Sequence, residues 1–158
     1  MKTLIVYYSY TGNTKKIAEM IQNNIGGDII RIEPVNPYNG DYNTVAEQGH
    51  NEVKQGYMPE IKSLNININN YDTIILGTPV WWYTFAPAVK TFLKNTEFSG
   101  KTVYPFATNG GWIGHTFEDI EKVCKNGKVK SGINIRFNND KLITPVSDIE
   151  NWIKKINV

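Results

Sequence analysis

The chain has 158 residues, 41% of them hydrophobic and 20% charged, which suits one domain over residues 1–158 with a single core. Its formal net charge is only +2, and no Lys/Arg-rich run is present, which argues against a nucleic-acid partner. A lone cysteine, Cys124, excludes an internal disulfide and fits a reducing compartment. No apolar run reaches the roughly 18 residues of a membrane span and no signal peptide precedes the first strand, so a cytoplasmic protein without membrane contact is expected.

Leu4-Ile5-Val6-Tyr7 is a short continuous apolar run, as in a strand buried on both faces. Ile17, Met20, Ile21 and Ile25 form a helical stripe, closed by Gly26-Gly27. Asp28–Ile32 reads as a second strand. A long polar stretch follows, Glu33–Asn70, with a weakly patterned helix near Val45–Lys54. Such a connection is often functional or mobile. Tyr71–Gly77 is the third strand. Phe85, Ala88, Val89, Phe92 and Leu93 stripe a helix with Pro87 in its first turn. Lys101–Ala107 is the fourth strand, and Phe117, Ile120 and Cys124 stripe the next helix. Ile133–Phe137 is the fifth strand. Ile149, Trp152, Ile153 and Ile156 give a last amphipathic helix, with Ser147 or Asp148 as its cap. This alternation predicts an α/β fold, a parallel sheet with helices on both faces.

In such a sheet, ligands bind beyond the carboxyl ends of the strands. Three segments there are unusual. Tyr8–Ala18, "YSYTGNTKKIA", places Ser9, Thr11, Gly12, Asn13 and Thr14 between a strand and a helix. The first helical amides lack intrahelical partners, and hydroxyls beside them make a phosphate cradle. The alternative is a plain cap by Thr11 or Asn13. "GTPVWWYTFAPAV" sets Trp81, Trp82 and Tyr83 in succession, so at least one cannot face the core and can border a planar ligand. "TNGGWIGH" surrounds Trp112 with Gly110, Gly111 and Gly114, which permit close backbone approach. Together they describe a mononucleotide site with a planar head group. No catalytic constellation is apparent. His115 reads as a solvated helix-end histidine and Cys124 as a small core residue. A cofactor then supplies the chemistry.

These residues resemble a flavodoxin. Ser9–Thr14, "SYTGNT", matches that family's phosphate loop, and "GTPVWWYTFAPAVKTFL" and "FATNGGWIGHTFEDI" resemble the second and third flavin loops of a bacterial subgroup. The resemblance implies a flavodoxin-like, doubly wound five-stranded parallel sheet in the order 2-1-3-4-5 that binds FMN. It implies that Ser9, Tyr10, Thr11, Gly12, Asn13 and Thr14 hold the phosphate. Pro79, Val80, Trp81, Trp82 and Tyr83 border the ring, and Thr108, Asn109, Gly110, Gly111, Trp112 and Gly114 contact its pyrimidine side. The implied function is electron transfer, the flavin cycling between oxidised, semiquinone and hydroquinone states, with no catalytic side chain and no metal. The alternative is an NAD(P)H-dependent quinone or flavin reductase of the same fold. Partners are transient redox proteins or a small quinone or flavin acceptor.

Two departures stand out. Tyr83 occupies a place where relatives often carry Gly, and a non-glycine residue there costs roughly 1–2 kcal/mol in a left-handed conformation, so weaker semiquinone stabilisation is expected. Electron-carrying flavodoxins are usually acidic, whereas this chain carries +2. Glu118, Asp119 and Glu121 are the candidate local acidic patch. A receiver domain of the same topology needs acidic residues after the first strand, and Tyr8-Ser9-Tyr10 supplies none. The P-loop and dinucleotide fingerprints are also absent.

Overall fold

The computed structural model describes residues 2–156. Strand β1 (Thr3–Tyr7) is buried throughout because both its faces are covered. Leu4, Val6 and Tyr8 join the hydrophobic cluster on one side, and Ile5 and Tyr7 join that on the other. Helix α1 (Asn13–Ile25) presents Ile17, Ala18 and Ile21 to the sheet and ends at Gly26, φ +74°. β2 (Asp28–Arg31) then pairs in parallel with β1 as a half-exposed edge.

The stretch read as a poorly patterned connection is built around helix α2 (Tyr42–Gln55), whose Asp41 cap accepts from the Thr44 amide. Its two ends are clasped together: Val35 N–H donates to Glu60 O and Lys62 N–H to Glu33 O. A 3-10 turn (Ile68–Asn70) leads into β3 (Thr73–Trp81). β3 and the two-residue β4 (Thr84–Phe85) form an antiparallel hairpin. Helix α3 (Pro87–Lys94), β5 (Thr102–Asn109) and helix α4 (Thr116–Val123) follow. After the short β6 (Lys128–Val129) come β7 (Ile133–Asn138), β8 (Lys141–Leu142) and helix α5 (Val146–Lys154). The α5 cap differs from expectation. Pro145 precedes the first turn with no side-chain cap bond, so neither Ser147 nor Asp148 serves.

The order β2-β1-β3-β5-β7 runs through the five main strands, all parallel, with β8 antiparallel at the edge and β4 and β6 as two-residue additions. This is the expected order 2-1-3-4-5. Residues of α1 and α5 pack on one face, around Ile5, Ile75 and Phe106. Residues of α3 and α4 pack on the other, around Leu4, Ile74 and Val103. Burial pushes the Cys124 thiol up to about 12, as suits the core residue read from the sequence.

Buried Lys101 anchors the far end of the sheet, its Nζ donating to the carbonyls of Ile68 (3.0 Å) and Tyr71 (2.5 Å). Lys101→Met keeps the apolar stem and strands those two acceptors. It is expected to cost about 1–3 kcal/mol, read as a lower urea midpoint at unchanged slope.

Candidate functional site at the carboxyl edge

The chain leaves β1 toward β2 on one side and returns to β3 on the other, so the strand order reverses between β1 and β3. The carboxyl ends of β1, β3 and β5 meet at this reversal, where open α/β sheets bind ligands. At the β1–α1 turn, Gly12 adopts φ +103°, and a Cβ there would meet nothing within 4 Å. The barrier to another residue is conformational.

Gly12 is itself the N-cap, without a side-chain bond, so neither Thr11 nor Asn13 caps the helix. Buried Ser9 orders the turn instead: its Oγ accepts from the amides of Gly12 (3.1 Å) and Lys15 (3.3 Å). The amides of Thr11, Asn13 and Thr14 meet no acceptor among the described residues. With the Ser9 hydroxyl proton and the exposed Thr11 side chain they make a cluster of neutral donors able to hold an anion. The Asn13 and Thr14 side chains bridge to other segments. Asn13 donates to Asn139 O (2.7 Å) in the β7–β8 turn, and Thr14 Oγ1 bonds Thr108 Oγ1 (2.7 Å), joining the first segment to the third.

Pro79, Val80 and Trp81 belong to β3, with Pro79 in register with Thr108 of β5. Only Trp82 and Tyr83 form the hairpin tip. Their φ values, +51° and +72°, are the signature of a type I′ turn, which Asn-Gly normally occupies. Two aromatic residues there are strained by roughly 1–2 kcal/mol each. Contacts on both sides hold them: Trp82 Nε1 donates to Ala46 O (2.9 Å) and its ring stacks on His50, while Tyr83 O accepts from the His115 amide (2.8 Å).

Of the three consecutive aromatics, Trp81 turns inward, edge-on to Tyr8, Tyr10 and Tyr38. Trp82 and Tyr83 are 39% and 45% exposed. Tyr10, Thr11, Val80, Trp81 and Trp82 face α2 across a cavity of about 290 Å³. The third segment lies apart from that cavity. Thr108 and Asn109 end β5, and the Asn109 side chain bonds Asn134 while accepting from the Gly111 amide. Gly110 and Gly111 have ordinary negative φ, and a Cβ on either would find room. Gly114 alone is left-handed, φ +59°, and its missing Cβ would fall 2.3 Å from Tyr83 O. It is therefore a seam between the second and third segments. Trp112, 66% exposed, leans on Tyr83 with centroids 4.6 Å apart.

Sequence reading missed three supports. Arg31, ending β2, donates to Ser9 O (2.8 Å) and braces the cradle. Tyr38 donates to Glu52 (2.5 Å), and burial with this bond raises its pKa, so it stays a donor. Helix α2 grips Trp82. Asp41 three residues before Thr44, and a glycine inside α2, were readable signals. A Cβ on that Gly49 would lie 3.0 Å from the Trp81 ring. The acidic patch is also smaller than expected, because Asp119 accepts from Thr84 Oγ1 (2.6 Å) and pairs with His115.

A sequence model of the family described as "Flavodoxin" matches residues 2–156. Among solved structures, a Lactobacillus acidophilus flavoprotein in complex with FMN is 28% identical, with TM-score 0.75, covering 96% of this chain and 97% of that one. Flavodoxin 1 of Salmonella typhimurium is 28% identical over 112 residues, 66% of this chain and 47% of that protein. FMN-dependent NADH:quinone oxidoreductase 3 of Bacillus cereus is 28% identical over 68 residues, 41% of this chain and 32% of that protein. These matches thus span less than half the length of either curated relative. The family match, which spans residues 2–156, settles one point: the chain belongs to the flavodoxin family.

Proposed function

We propose that this protein binds FMN without a covalent link across the carboxyl edge and serves as a transient electron carrier. The observation that carries this reading is the left-handed Gly12 turn, with three unpartnered amides at the start of α1. Bound FMN accepts and donates electrons one or two at a time. The chain's residues do the rest. Thr11, Asn13 and Thr14 supply phosphate amides, Ser9 and Thr11 supply hydroxyls, and Tyr10 lines the approach. Trp82, Tyr83 and Trp112 exclude water from the ring.

The strained hairpin tip sets a further expectation. Glycine at position 83 removes a penalty of roughly 1–2 kcal/mol for the left-handed backbone already present at Tyr83, and it loses a ring contact with Trp112 worth about 0.5–1.5 kcal/mol. Tyr83→Gly is therefore expected to leave the stability of the flavin-free protein within about 1.5 kcal/mol of the parent. Urea unfolding that shows a much larger loss contradicts the strain described here.

A second reading, an NAD(P)H-dependent quinone or flavin reductase, is favoured by a cavity of about 340 Å³ whose lining includes Thr84 and His115, beside the hairpin tip. Steady-state oxidation of NADH or NADPH by the FMN-loaded protein separates the two. A carrier turns over only with an added reductase. Direct turnover with a quinone assigns the reductase role.

A further inference from the structure

The cavity beyond Tyr83 has an unusual charge arrangement. Lys90 and Lys94 lie one turn apart on α3, and Lys122 faces them from α4. Two carboxylates share the wall, and neither is paired with a lysine. Glu52 accepts from Tyr38 and from Gln48 Nε2 (2.8 Å), and Asp119 accepts from Thr84 and pairs with His115. Among the described residues the ion pairs are Lys62–Glu33 and His115–Asp119, so none of the three lysines is ion-paired, and their three ammonium groups outnumber the two carboxylates of the wall. Lys90 Nζ reaches only the neutral Gly56 carbonyl (3.2 Å). Like charges spaced i, i+4 repel, and an anion between the helices relieves that repulsion.

Much of the remaining lining is apolar: buried Phe85 and Pro87, with Tyr57 and Val123. At about 340 Å³ the cavity lies at the lower end of small-ligand sites. That is room for a few fused rings and too little for a dinucleotide. The cavity adjoins the proposed ring site, because the amide of its lining residue His115 donates to Tyr83 O (2.8 Å). We infer that this cavity binds a small planar anion of the quinone class, one bearing a sulfonate or carboxylate, with its charge on Lys90, Lys94 and Lys122 and its ring over Phe85. The inference deepens the reductase reading by naming its acceptor class, and the binding test does not require flavin.

The test is a titration with anthraquinone-2-sulfonate, followed by backbone amide shifts in both FMN-loaded and FMN-free protein. Shifts are expected to centre on Thr84, Lys90, His115 and Lys122. The triple variant Lys90→Gln/Lys94→Gln/Lys122→Gln should weaken binding about tenfold or more, as loss of charged hydrogen bonds does. Neutral 1,4-naphthoquinone should bind parent and variant alike. Should the triple variant misfold, Lys94→Gln/Lys122→Gln, both exposed, gives the same comparison. Shifts confined to Tyr10–Thr14, or equal affinity of parent and variant, overturn the inference. Failure to load FMN refutes the flavin reading and leaves the cavity result standing, so the two failures are distinguishable.

Discussion

Phe106→Ala is expected to lower stability by about 3–5 kcal/mol, a large share of the roughly 5–15 kcal/mol that holds a domain folded. The Phe106 ring is fully buried, set edge-on to Trp152 at 6.4 Å. It also fills the space that a side chain at 77 would take: a Cβ on Gly77 would lie 2.2 Å from its Cζ. Gly77→Ala alone therefore overpacks the centre of β3, with an expected cost of about 1–3 kcal/mol or more. The two changes share one volume, so they should not add. Combined, Gly77→Ala should cost less than it does alone, with a coupling of about 0.5–3 kcal/mol. Urea unfolding of the four proteins gives this coupling, and strict additivity contradicts the packing described here.

Gly12→Val is expected to weaken FMN binding about 5–150-fold while changing thermal stability little. A β-branched residue at φ +103° carries a penalty of about 1–3 kcal/mol. The free protein avoids it by letting the turn relax, since nothing packs against that position. Relaxation turns the Thr11–Thr14 amides away from one common point, and the strain returns on binding. Flavin fluorescence titration of parent and variant checks it, and equal affinities contradict it.

The fold was legible because its physics is local and repeated. Leu4–Tyr7 could only be a strand covered on both sides, and the stripes at Ile17–Ile21 and Ala88–Leu93 match the buried faces of α1 and α3, whereas Phe85, expected on the second stripe, falls in β4 because the β3–β4 hairpin turns the chain before the helix begins. The Ser9–Thr14 turn was legible for the same reason, since a glycine between hydroxyls after a strand has few uses. Asn13 and Gly114 illustrate the limit. Both stand in the right segments, yet Asn13 ties α1 to a turn 126 residues away and Gly114 accommodates the Tyr83 backbone. Neither partner is visible in the local sequence. Helix α2 was hard to read because it buries only Val45 and Gly49 in its helical face, too few to make a stripe. Its role comes from gripping Trp82, a contact between distant parts of the chain. The positive φ at Trp82 and Tyr83 runs against every local preference and persists because α2 and His115 hold the tip from both sides.

The most direct test of the proposed cradle compares FMN with riboflavin, which has the same ring and lacks the phosphate. Both are titrated into flavin-free protein and followed by quenching of flavin fluorescence. Three amides and two hydroxyls on one phosphate predict that FMN binds at least about 100-fold more tightly, since charge-assisted bonds contribute roughly 1.5–3 kcal/mol each. Equal affinity for the two flavins, or no quenching with either, contradicts a phosphate-centred site at Ser9–Thr14.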